Sequence, residues 1–249
     1  MSNPGFKANE LTDRVALVTG ATRGIGYAVA EALLNEGANV FLCGRDAGRV
    51  ASAVASLRGR HRGEAVDGMT ADVRRYEECR SVVDRAVERF GGLDILVNNA
   101  GIGIIKPVDQ LTPEEWASTI ETNLSAPFYF SREAIPHLRA RGGGYIFNIS
   151  SLAGINPFPG GSAYNASKFG LNGFSEAMMQ DVRYDNIRVS YIMPGSVDTD
   201  FGAEPGSKPR ESWKLAAGDI ARAVVDLLHY PSGSLASRIE LRPSRPPRK

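Results

Sequence analysis

The chain has 249 residues, 43% of them hydrophobic and 23% charged, and its formal net charge of +1 lacks the cationic excess with which nucleic-acid-binding proteins neutralise phosphates. Its three histidines lie far apart and its two cysteines, Cys43 and Cys79, form no metal-binding or disulfide pattern, which argues against a zinc site and favours reduced thiols. No apolar run approaches the roughly 18 residues of a membrane span and the polar start does not resemble a signal peptide, so we expect a cytoplasmic protein without a membrane, nucleic-acid or metal partner.

Short apolar runs alternate with longer amphipathic ones along most of the chain, which is typical of βαβ units around a parallel sheet. Gly37 stands where a glycine would end the first helix. In chain order, the first half predicts a strand at 15–19, a helix to about 35, a strand at 39–43, a helix at 46–57, a strand at 65–71, a helix at 76–90 and a strand at 94–98.

The second half begins with a long helix, for which Thr112, Pro113 and Glu115 form an N-terminal capping box. Strands at 145–149 and 188–192 flank the helix that carries Tyr164, and a helix at 218–228 and a strand at 237–241 complete the pattern. We therefore predict an α/β fold: one doubly wound Rossmann domain over residues 13–242, with about seven parallel strands and helices on both faces. Residues 1–12 are predicted to be a flexible N-terminus and 243–249 a solvated basic tail.

A glycine-rich turn follows the first predicted strand and opens the first helix, with Gly20, Gly24 and Gly26 as its glycines. Glycines allow the backbone to approach a pyrophosphate, and a helix N-terminus offers free N–H groups and a positive dipole end. The spacing departs from Gly-x-Gly-x-x-Gly, and a plain tight turn is the alternative. Its place in the first βα unit favours a dinucleotide site.

The end of the second predicted strand distinguishes the two nicotinamide cofactors. An acidic residue there would bind the ribose 2′-hydroxyl and repel a 2′-phosphate, but this chain has Gly44 and Arg45, and Arg23 lies within the glycine turn. Two guanidinium groups suit a phosphate dianion, although both arginines could simply be solvated. Asp46 is expected to cap the next helix, and NADP(H) is the predicted cofactor.

Tyr164 and Lys168 are four residues apart, so a helix places them on one face. A nearby cation stabilises phenolate and lowers the pKa of a tyrosine towards the range useful for proton transfer. Ser151 lies thirteen residues upstream of Tyr164 and adds a hydroxyl donor. The three residue types together suit the reduction of a carbonyl group, whereas the tyrosine–lysine spacing alone is common on exposed helices.

These motifs occur together in an order and spacing that resemble the short-chain dehydrogenase/reductase family, nearest to its 3-oxoacyl-thioester and carbonyl reductases. The resemblance extends from about residue 13 to 241. The motifs that carry it are Thr19-Gly20-x-x-x-Gly24-x-Gly26, Asn98-Asn99-Ala100-Gly101, Asn123, Ser151, Tyr164-x-x-x-Lys168 and Pro194-Gly195.

The resemblance implies four catalytic residues. Tyr164 would protonate the carbonyl oxygen, Lys168 would lower the pKa of Tyr164 and bond the nicotinamide ribose, and Ser151 would hold the substrate carbonyl. Asn123 would position a water that links Lys168 to solvent, and a simple kink inside a helix is the alternative for this residue.

The resemblance also implies the cofactor contacts. Asp72 and Val73 would contact the adenine, Val197 and Thr199 the nicotinamide carboxamide, and Asn98 either the cofactor or the neighbouring strands. The full set of implied contacts is Gly20, Thr22, Arg23, Gly24, Ile25, Gly26, Arg45, Asp72, Val73, Asn99, Ala100, Gly101, Tyr164, Lys168, Pro194, Gly195, Val197 and Thr199.

The expected function is the NADPH-dependent reduction of a ketone or aldehyde, with a 3-oxoacyl thioester or a general carbonyl compound as the small-molecule substrate. The alternatives are an NADP-dependent dehydrogenase of a secondary alcohol or 3-hydroxy acid, and a non-catalytic NADP-binding sensor. The family resemblance implies a homodimer or homotetramer built on two long helices, although the C-terminal segment Ile239-Glu240-Leu241-Arg242-Pro243 lacks the usual Asp-Gly-Gly. The short stretch 199–218, rich in glycine, proline and serine, predicts an open substrate site.

Overall fold

A seven-stranded parallel sheet forms the centre of the computed structural model, which describes residues 11–201 and 211–247. Its strand order is β3-β2-β1-β4-β5-β6-β7. Strands β1 to β3 are added towards one edge of the sheet and β4 to β7 towards the other, and doubly wound sheets open a crevice for ligands at the point between β1 and β4 where this change occurs. The strands are β1 (Val15–Thr19), β2 (Asn39–Gly44), β3 (Val66–Thr70), β4 (Ile95–Asn98), β5 (Gly144–Ile149), β6 (Ile187–Pro194) and β7 (Arg238–Leu241). The predicted α/β class, strand number and parallel order are confirmed.

Helices cover both faces of this sheet. One hydrophobic core lies between the sheet and α1, α2 and α7, and a second lies between the opposite face and α3, α5 and α6. The helices are α1 (Gly24–Asn35), α2 (Ala47–Arg58), α3 (Tyr76–Phe90), α4 (Pro113–Ile120), α5 (Ala126–Ala140), α6 (Ser162–Val182) and α7 (Ala217–Leu228). Because both faces are covered, β1 and β5 are buried along their whole length, as is usual for parallel strands.

Local sequence signals set several helix ends as predicted. Gly37 follows α1 with φ +90°, a conformation that glycine adopts without strain. The Asp46 carboxylate caps α2 by accepting a hydrogen bond from Arg49 N at 2.8 Å. Thr112 and Glu115 form the reciprocal capping box at the start of α4. Each of these signals is satisfied by residues within one turn, so the sequence alone is enough to place it.

The long helix predicted after Thr112 is not continuous. A π-helical turn, Glu121–Ser125, separates α4 from α5, and Ala126 N donates to Glu121 O across it. Pro127 provides the physical reason, because it has no N–H to donate to the carbonyl of Asn123 four residues earlier. The wider turn absorbs this missing hydrogen bond, and such turns are frequent at functional sites.

The described parts of the predicted termini differ in burial. Leu11, placed by prediction in the flexible N-terminus, is 1% exposed and belongs to the core beside α1. Arg14 N donates to Leu11 O at 3.0 Å, so the ordered chain begins before residue 13. Residues 1–10, 248 and 249 lie outside the described residues, and so do residues 202–210 of the predicted open segment.

Candidate active site

A cavity of about 340 Å³ opens at the carboxyl ends of the central strands. It extends from the glycine turn after β1, past the ends of β2 and β4, to the start of α6 and the segment after β6. The predicted cofactor residues that line it are Gly20, Thr22, Arg23, Gly24, Ile25, Arg45, Asp72, Val73, Asn99, Ala100, Gly101, Tyr164, Lys168, Pro194, Gly195, Val197 and Thr199. The topology therefore brings segments as far apart in sequence as Gly20 and Phe201 into one concave site.

The glycine turn is packed too tightly for side chains. Gly20 has φ +63°, and a Cβ added there would come within 2.8 Å of Ala100 Cα. Gly26 does not line the cavity but lies behind the turn, where a Cβ would come within 2.6 Å of Gly20 O. Asn99 fixes the arrangement by donating to Thr19 O at 2.9 Å and to Gly20 O at 3.1 Å.

The start of α1 presents its backbone to the cavity. Arg23, the residue before the helix, has an extended backbone and makes no side-chain capping bond. The N–H groups of a first helical turn have no partner within the helix, and here Gly24 and Ile25 line the cavity. Free N–H groups and a close-fitting glycine cradle fit the pyrophosphate of a dinucleotide.

Three arginines, Arg23, Arg45 and Arg49, line the cavity, two of them in the segment that follows β2. In the part of the chain that the structure describes, no carboxylate lies within ion-pair distance of any of them. Arg49 is a site residue that sequence reasoning missed. It occupies the first turn of α2, where the helix dipole disfavours a cation. An arginine at this unfavourable position is the feature of the sequence that could have indicated a role in the site.

Two carboxylates at the same end are engaged elsewhere. Asp46 accepts from Arg49 N as the cap of α2, as predicted. Asp72 binds the Arg74 guanidinium, and this hydrogen bond lowers the pKa of the Asp72 carboxyl. The end of the cavity beside β2 is therefore positively charged overall, which suits a phosphate group.

Tyr164 and Lys168 lie one turn apart near the start of α6, both facing the cavity. The Lys168 ammonium lies 5.9 Å from the centre of the Tyr164 ring. It donates to Ile149 O, at the end of β5, over 2.9 Å. Lys168 is 4% exposed, and burial lowers its pKa from 10.5 to about 8.

The pKa of Tyr164 moves in the direction opposite to the prediction. Burial raises it, and a hydrogen bond between the Ser151 and Tyr164 side chains opposes the increase. The physical reason is desolvation, which penalises phenolate, while the Lys168 ammonium is directed at the carbonyl of Ile149 rather than at the phenol. Tyr164 in this structure is thus a neutral phenol bonded to Ser151.

Asn123, predicted to be catalytic, does not line the cavity. Its Oδ1 accepts from Ile102 N at 2.8 Å, and its Nδ2 donates to Ile102 O at 2.8 Å and to Ser167 Oγ at 3.0 Å. Two of these three bonds hold Ile102, which does line the cavity. Asn123 lies within the π-helical turn, so the helix is irregular at the residue for which a kink was the alternative.

Asn98 contacts a neighbouring strand, which was the alternative to a contact with the cofactor. Its Nδ2 donates to Asn148 Oδ1 at 2.8 Å and to Ser131 Oγ at 3.3 Å, which joins β4 to β5 and α5. Asn98 is buried beneath the cavity and does not line it.

Several lining residues have no local sequence signal. Phe201 lies with its ring centre 5.9 Å from that of Tyr164, against Gly103, where an added Cβ would come within 2.7 Å of Phe201 Cε1. Only the folded chain brings these segments together. Besides Arg49 and Phe201, the lining residues that were not predicted are Gly44, Asp46, Ala71, Ile102, Thr122, Ile149, Ser150 and Asp200.

The described residues also limit other chemistries. Both cysteines are buried and unbridged, and no three His, Cys, Asp or Glu side chains within 11–201 and 211–247 are grouped to hold a metal ion. Over the same ranges, none of the helices combines the length and apolar character needed to cross a membrane.

Known proteins with the same organisation match nearly the whole chain. A family model described as short chain dehydrogenase matches residues 14–209, a span that contains the entire cavity. Human dehydrogenase/reductase SDR family member 4 is 37% identical over 203 residues, which are 81% of this chain and 72% of the human protein. A metagenomic short-chain oxidoreductase in complex with NADP superposes with a TM-score of 0.82 at 34% identity, over 95% of this chain and 99% of the other. A variant of actinorhodin polyketide ketoreductase with NADPH gives a TM-score of 0.84 at 30% identity, over 92% and 96%.

Proposed function

This chain belongs to the short-chain dehydrogenase family, and on that premise we propose that it is an NADPH-dependent reductase of a ketone or aldehyde, with a 3-oxoacyl thioester or a general carbonyl compound as substrate. Membership makes it an oxidoreductase that uses a nicotinamide cofactor. The observation that carries the finer proposal is the convergence of Ser151, Tyr164 and Lys168 on the cavity that the glycine turn also lines.

The two ends of the cavity support our proposal that the cofactor binds there. The tight glycine turn and the start of α1 would hold the pyrophosphate, and Arg23, Arg45 and Arg49 would hold a 2′-phosphate. NADP and NADPH in the two structural neighbours support the same choice. When bound, NADPH would supply a hydride to the carbonyl carbon.

The side chains of the chain itself would manage the proton. Tyr164 would donate its phenolic proton to the carbonyl oxygen as that oxygen gains negative charge, so that the C=O becomes CH–OH. Ser151 has a single hydroxyl proton, and in this step it would donate that proton in a hydrogen bond to the same carbonyl oxygen. A positioned pair of donors of this kind acts as an oxyanion hole.

Lys168 would compensate the charge on the phenolate. With a pKa of about 8, it is mostly protonated at pH 7, and its burial strengthens any charge interaction within the cavity. We propose that the proton returns to Tyr164 through Lys168. Both Nδ2 donors of Asn123 are engaged by Ile102 and Ser167, so a water held by this residue would have to donate to its backbone carbonyl or to the second acceptor position of Oδ1.

The raised pKa of Tyr164 favours reduction over the reverse reaction. Reduction begins with a protonated phenol, which burial stabilises, whereas oxidation of an alcohol begins with phenolate acting as a base. The NADP-dependent dehydrogenase of a secondary alcohol or 3-hydroxy acid is therefore the second candidate. A non-catalytic sensor would have no use for Ser151, Tyr164 and Lys168 together.

The test of the catalytic proposal measures turnover and cofactor binding separately. NADPH oxidation is followed with a panel of ketones, aldehydes and 3-oxoacyl thioesters, and NADP⁺ reduction with the corresponding alcohols. Tyr164→Phe should abolish both while NADPH still binds, as read from cofactor fluorescence. The exposed Tyr184 provides the matched control, since Tyr184→Phe should leave turnover unchanged. Retained activity in Tyr164→Phe would remove that residue from the role of acid.

Cofactor preference is tested with Arg45→Ala. Loss of a charge-assisted bond to a 2′-phosphate should weaken NADPH binding on the order of tenfold and leave NADH binding nearly unchanged. Arg80→Ala, an exposed arginine on α3 outside the cavity, should change neither. Equal weakening of NADPH and NADH by Arg45→Ala would refute the 2′-phosphate assignment.

We also propose a homodimer or homotetramer that works in the cytoplasm. Exposed aromatic side chains support the first part: Phe128 on α5 and Phe169 on α6 are 45% and 44% exposed, on the two long helices expected to form the interface. The buried, unbridged cysteines support a reducing compartment.

A further inference from the structure

Asn172 lies one turn beyond Lys168 on α6, on the face that also carries Tyr164, because these residues follow one another at four-residue intervals. Two of them bond the chain where β5 ends. Lys168 Nζ donates to Ile149 O at 2.9 Å, and the next residue along the chain, Ser150, donates its hydroxyl proton to Asn172 Oδ1 at 2.6 Å. The proposed function makes no use of Asn172.

The amide of Asn172 makes a second bond on the other side of Ser151. Its Nδ2 donates to Gly154 O at 3.1 Å, and Gly154 ends the short 3₁₀ turn, Leu152–Gly154, that follows Ser151. The fit is close, because a Cβ added to Gly154 would come within 2.5 Å of Asn172 Nδ2. A single side chain on α6 therefore holds both the residue before Ser151 and the turn after it.

These bonds are removed from solvent, since Asn172 is 8% exposed and Ser150 is 5% exposed. The carbonyl of Gly154 can only accept a hydrogen bond, so one orientation of the amide satisfies both contacts, with Oδ1 towards the Ser150 hydroxyl. Asn172 itself does not line the cofactor cavity. Any effect of Asn172 on the reaction must therefore act through a residue that does.

Ser151 is the residue whose geometry depends on this turn. Its Oγ accepts from Ala153 N at 3.1 Å, and its carbonyl accepts from Gly154 N at 2.9 Å. Because Ala153 N occupies an acceptor position of the hydroxyl, the single proton of Ser151 stays available for donation. The position of the turn thus sets where the Ser151 hydroxyl lies, and Asn172 fixes the turn to α6.

We propose that Asn172 is a positioning residue, which acts with Ser150 to align the Ser151 hydroxyl with Tyr164, an inference that rests on the proposed function. Tyr164 belongs to α6, whereas Ser151 lies in the segment after β5. The amide of Asn172 connects that segment to the same helix, so the two donors to one carbonyl oxygen keep a constant separation. Catalysis is sensitive to this separation, because a misplacement of about 1 Å can cost up to about a hundredfold in rate.

Ser150→Ala and Asn172→Leu each break the bond between the two side chains and test this role. In each variant kcat and kcat/KM for the carbonyl compound should fall equally, on the order of tenfold, because a bond made in the transition state is weakened. The dissociation constant of NADPH, read from cofactor fluorescence, should stay unchanged. The double variant should lose no more than the larger single loss, since both residues act through one bond. Urea unfolding verifies that each variant is folded in the assay.

A matched control comes from a second bond between the same two elements. Asn148 Nδ2, on β5, donates to Ser175 Oγ, on α6, at 2.8 Å. Both residues are buried, and neither lines the cavity. Ser175→Ala also leaves a buried amide without its partner, so it should lower the free energy of unfolding as Ser150→Ala does. Its kcat should nevertheless equal that of the parent.

Four results would overturn the positioning role: an unchanged kcat in both single variants, an equal loss of kcat in Ser175→Ala, an equal loss of NADPH affinity, or losses that multiply in the double variant. Ser151→Ala separates this inference from the proposed function. Full turnover in Ser151→Ala would refute the proposed role of that residue. Loss of turnover in Ser151→Ala together with full turnover in Ser150→Ala and Asn172→Leu would refute the role of Asn172 alone.

Discussion

Burial of the Lys168 ammonium should cost the fold stability at neutral pH, and Lys168→Met measures that cost. The pKa of Lys168 falls from 10.5 to about 8. Since each pKa unit corresponds to about 1.4 kcal/mol, desolvation of the cation costs roughly 3 kcal/mol. Methionine has a similar length and no charge, but it leaves Ile149 O without the Lys168 donor, a loss of about 1 kcal/mol. The variant should therefore be more stable than the parent at pH 7 by about 2 kcal/mol.

The sign of this effect depends on pH in a way that identifies its origin. Below about pH 8 the lysine is protonated in both the folded and the unfolded chain, and the full cost applies. Between about pH 8 and 10.5 the folded lysine is neutral while the unfolded one still binds a proton, so the parent gains stability as the pH rises. Above that window the cost is gone, and only the lost hydrogen bond separates the two proteins.

Urea unfolding of both proteins at pH 7, 8.5 and 10, at one protein concentration, tests this reasoning. The advantage of Lys168→Met should be greatest at pH 7 and mostly lost by pH 10, while NADPH-dependent turnover of the variant is absent throughout. Other titrating groups are common to both proteins and cancel in the difference. A stability difference that stays constant from pH 7 to pH 10, or a variant less stable at pH 7, would refute the desolvation argument.

Three further substitutions probe the scaffold. Asp94→Asn removes a buried charge that accepts hydrogen bonds from Arg14, Arg141 and Val15 N. The variant should lower the free energy of unfolding by on the order of 3 kcal/mol. A melting temperature within a degree or two of the parent would contradict this, because such a shift corresponds to on the order of 0.5 kcal/mol or less. Gly26→Ala places a Cβ within 2.6 Å of Gly20 O and should weaken NADPH binding by on the order of tenfold or more, whereas Gly218→Ala, with no atom within 4 Å of the added Cβ, should not. Asp46→Ala removes the cap of α2 and should cost about 1 kcal/mol in urea unfolding, while Asp46→Asn should cost much less because asparagine also caps; equal losses in the two variants would exclude the capping role.

The sequence was sufficient wherever the determinant is local. The cap at Asp46, the capping box at Thr112 and the stop at Gly37 each depend on residues within one turn. The alternation of short apolar runs with longer amphipathic ones placed the strands and helices between them. The π-helical turn around Asn123 was missed because the helical periodicity continues through it. The sequence does contain Pro127, which has no N–H to donate within the helix. A proline in this position predicts an irregular helix, but it does not predict whether the helix kinks or forms a π-helical turn.

Features that depend on tertiary contact were beyond sequence reasoning. Phe201 reaches Tyr164 only because β6 ends beside α6, and no spacing rule connects the two residues. Asn98 and Asn123 matched family motifs, yet the fold uses one to join strands and the other to hold Ile102. A motif specifies which side chain is present, whereas its hydrogen-bond partners are determined by the elements that pack around it.

The pKa of Tyr164 is raised rather than lowered because it too depends on the elements packed around the residue and not on the motif. This changes the chemical interpretation of the site. Helical spacing places Lys168 near the phenol, but burial acts on both groups at once, raising the pKa of Tyr164 and lowering that of Lys168. Both shifts act in favour of the neutral forms that a low dielectric stabilises, although Lys168, with a pKa of about 8, is still mostly protonated at pH 7. Negative charge on a carbonyl oxygen in the cavity would reverse that preference, because it draws the proton from Tyr164 and keeps the charge on Lys168. In the proposed mechanism the substrate itself therefore activates the proton donor, and the phenol holds its proton until the hydride is transferred.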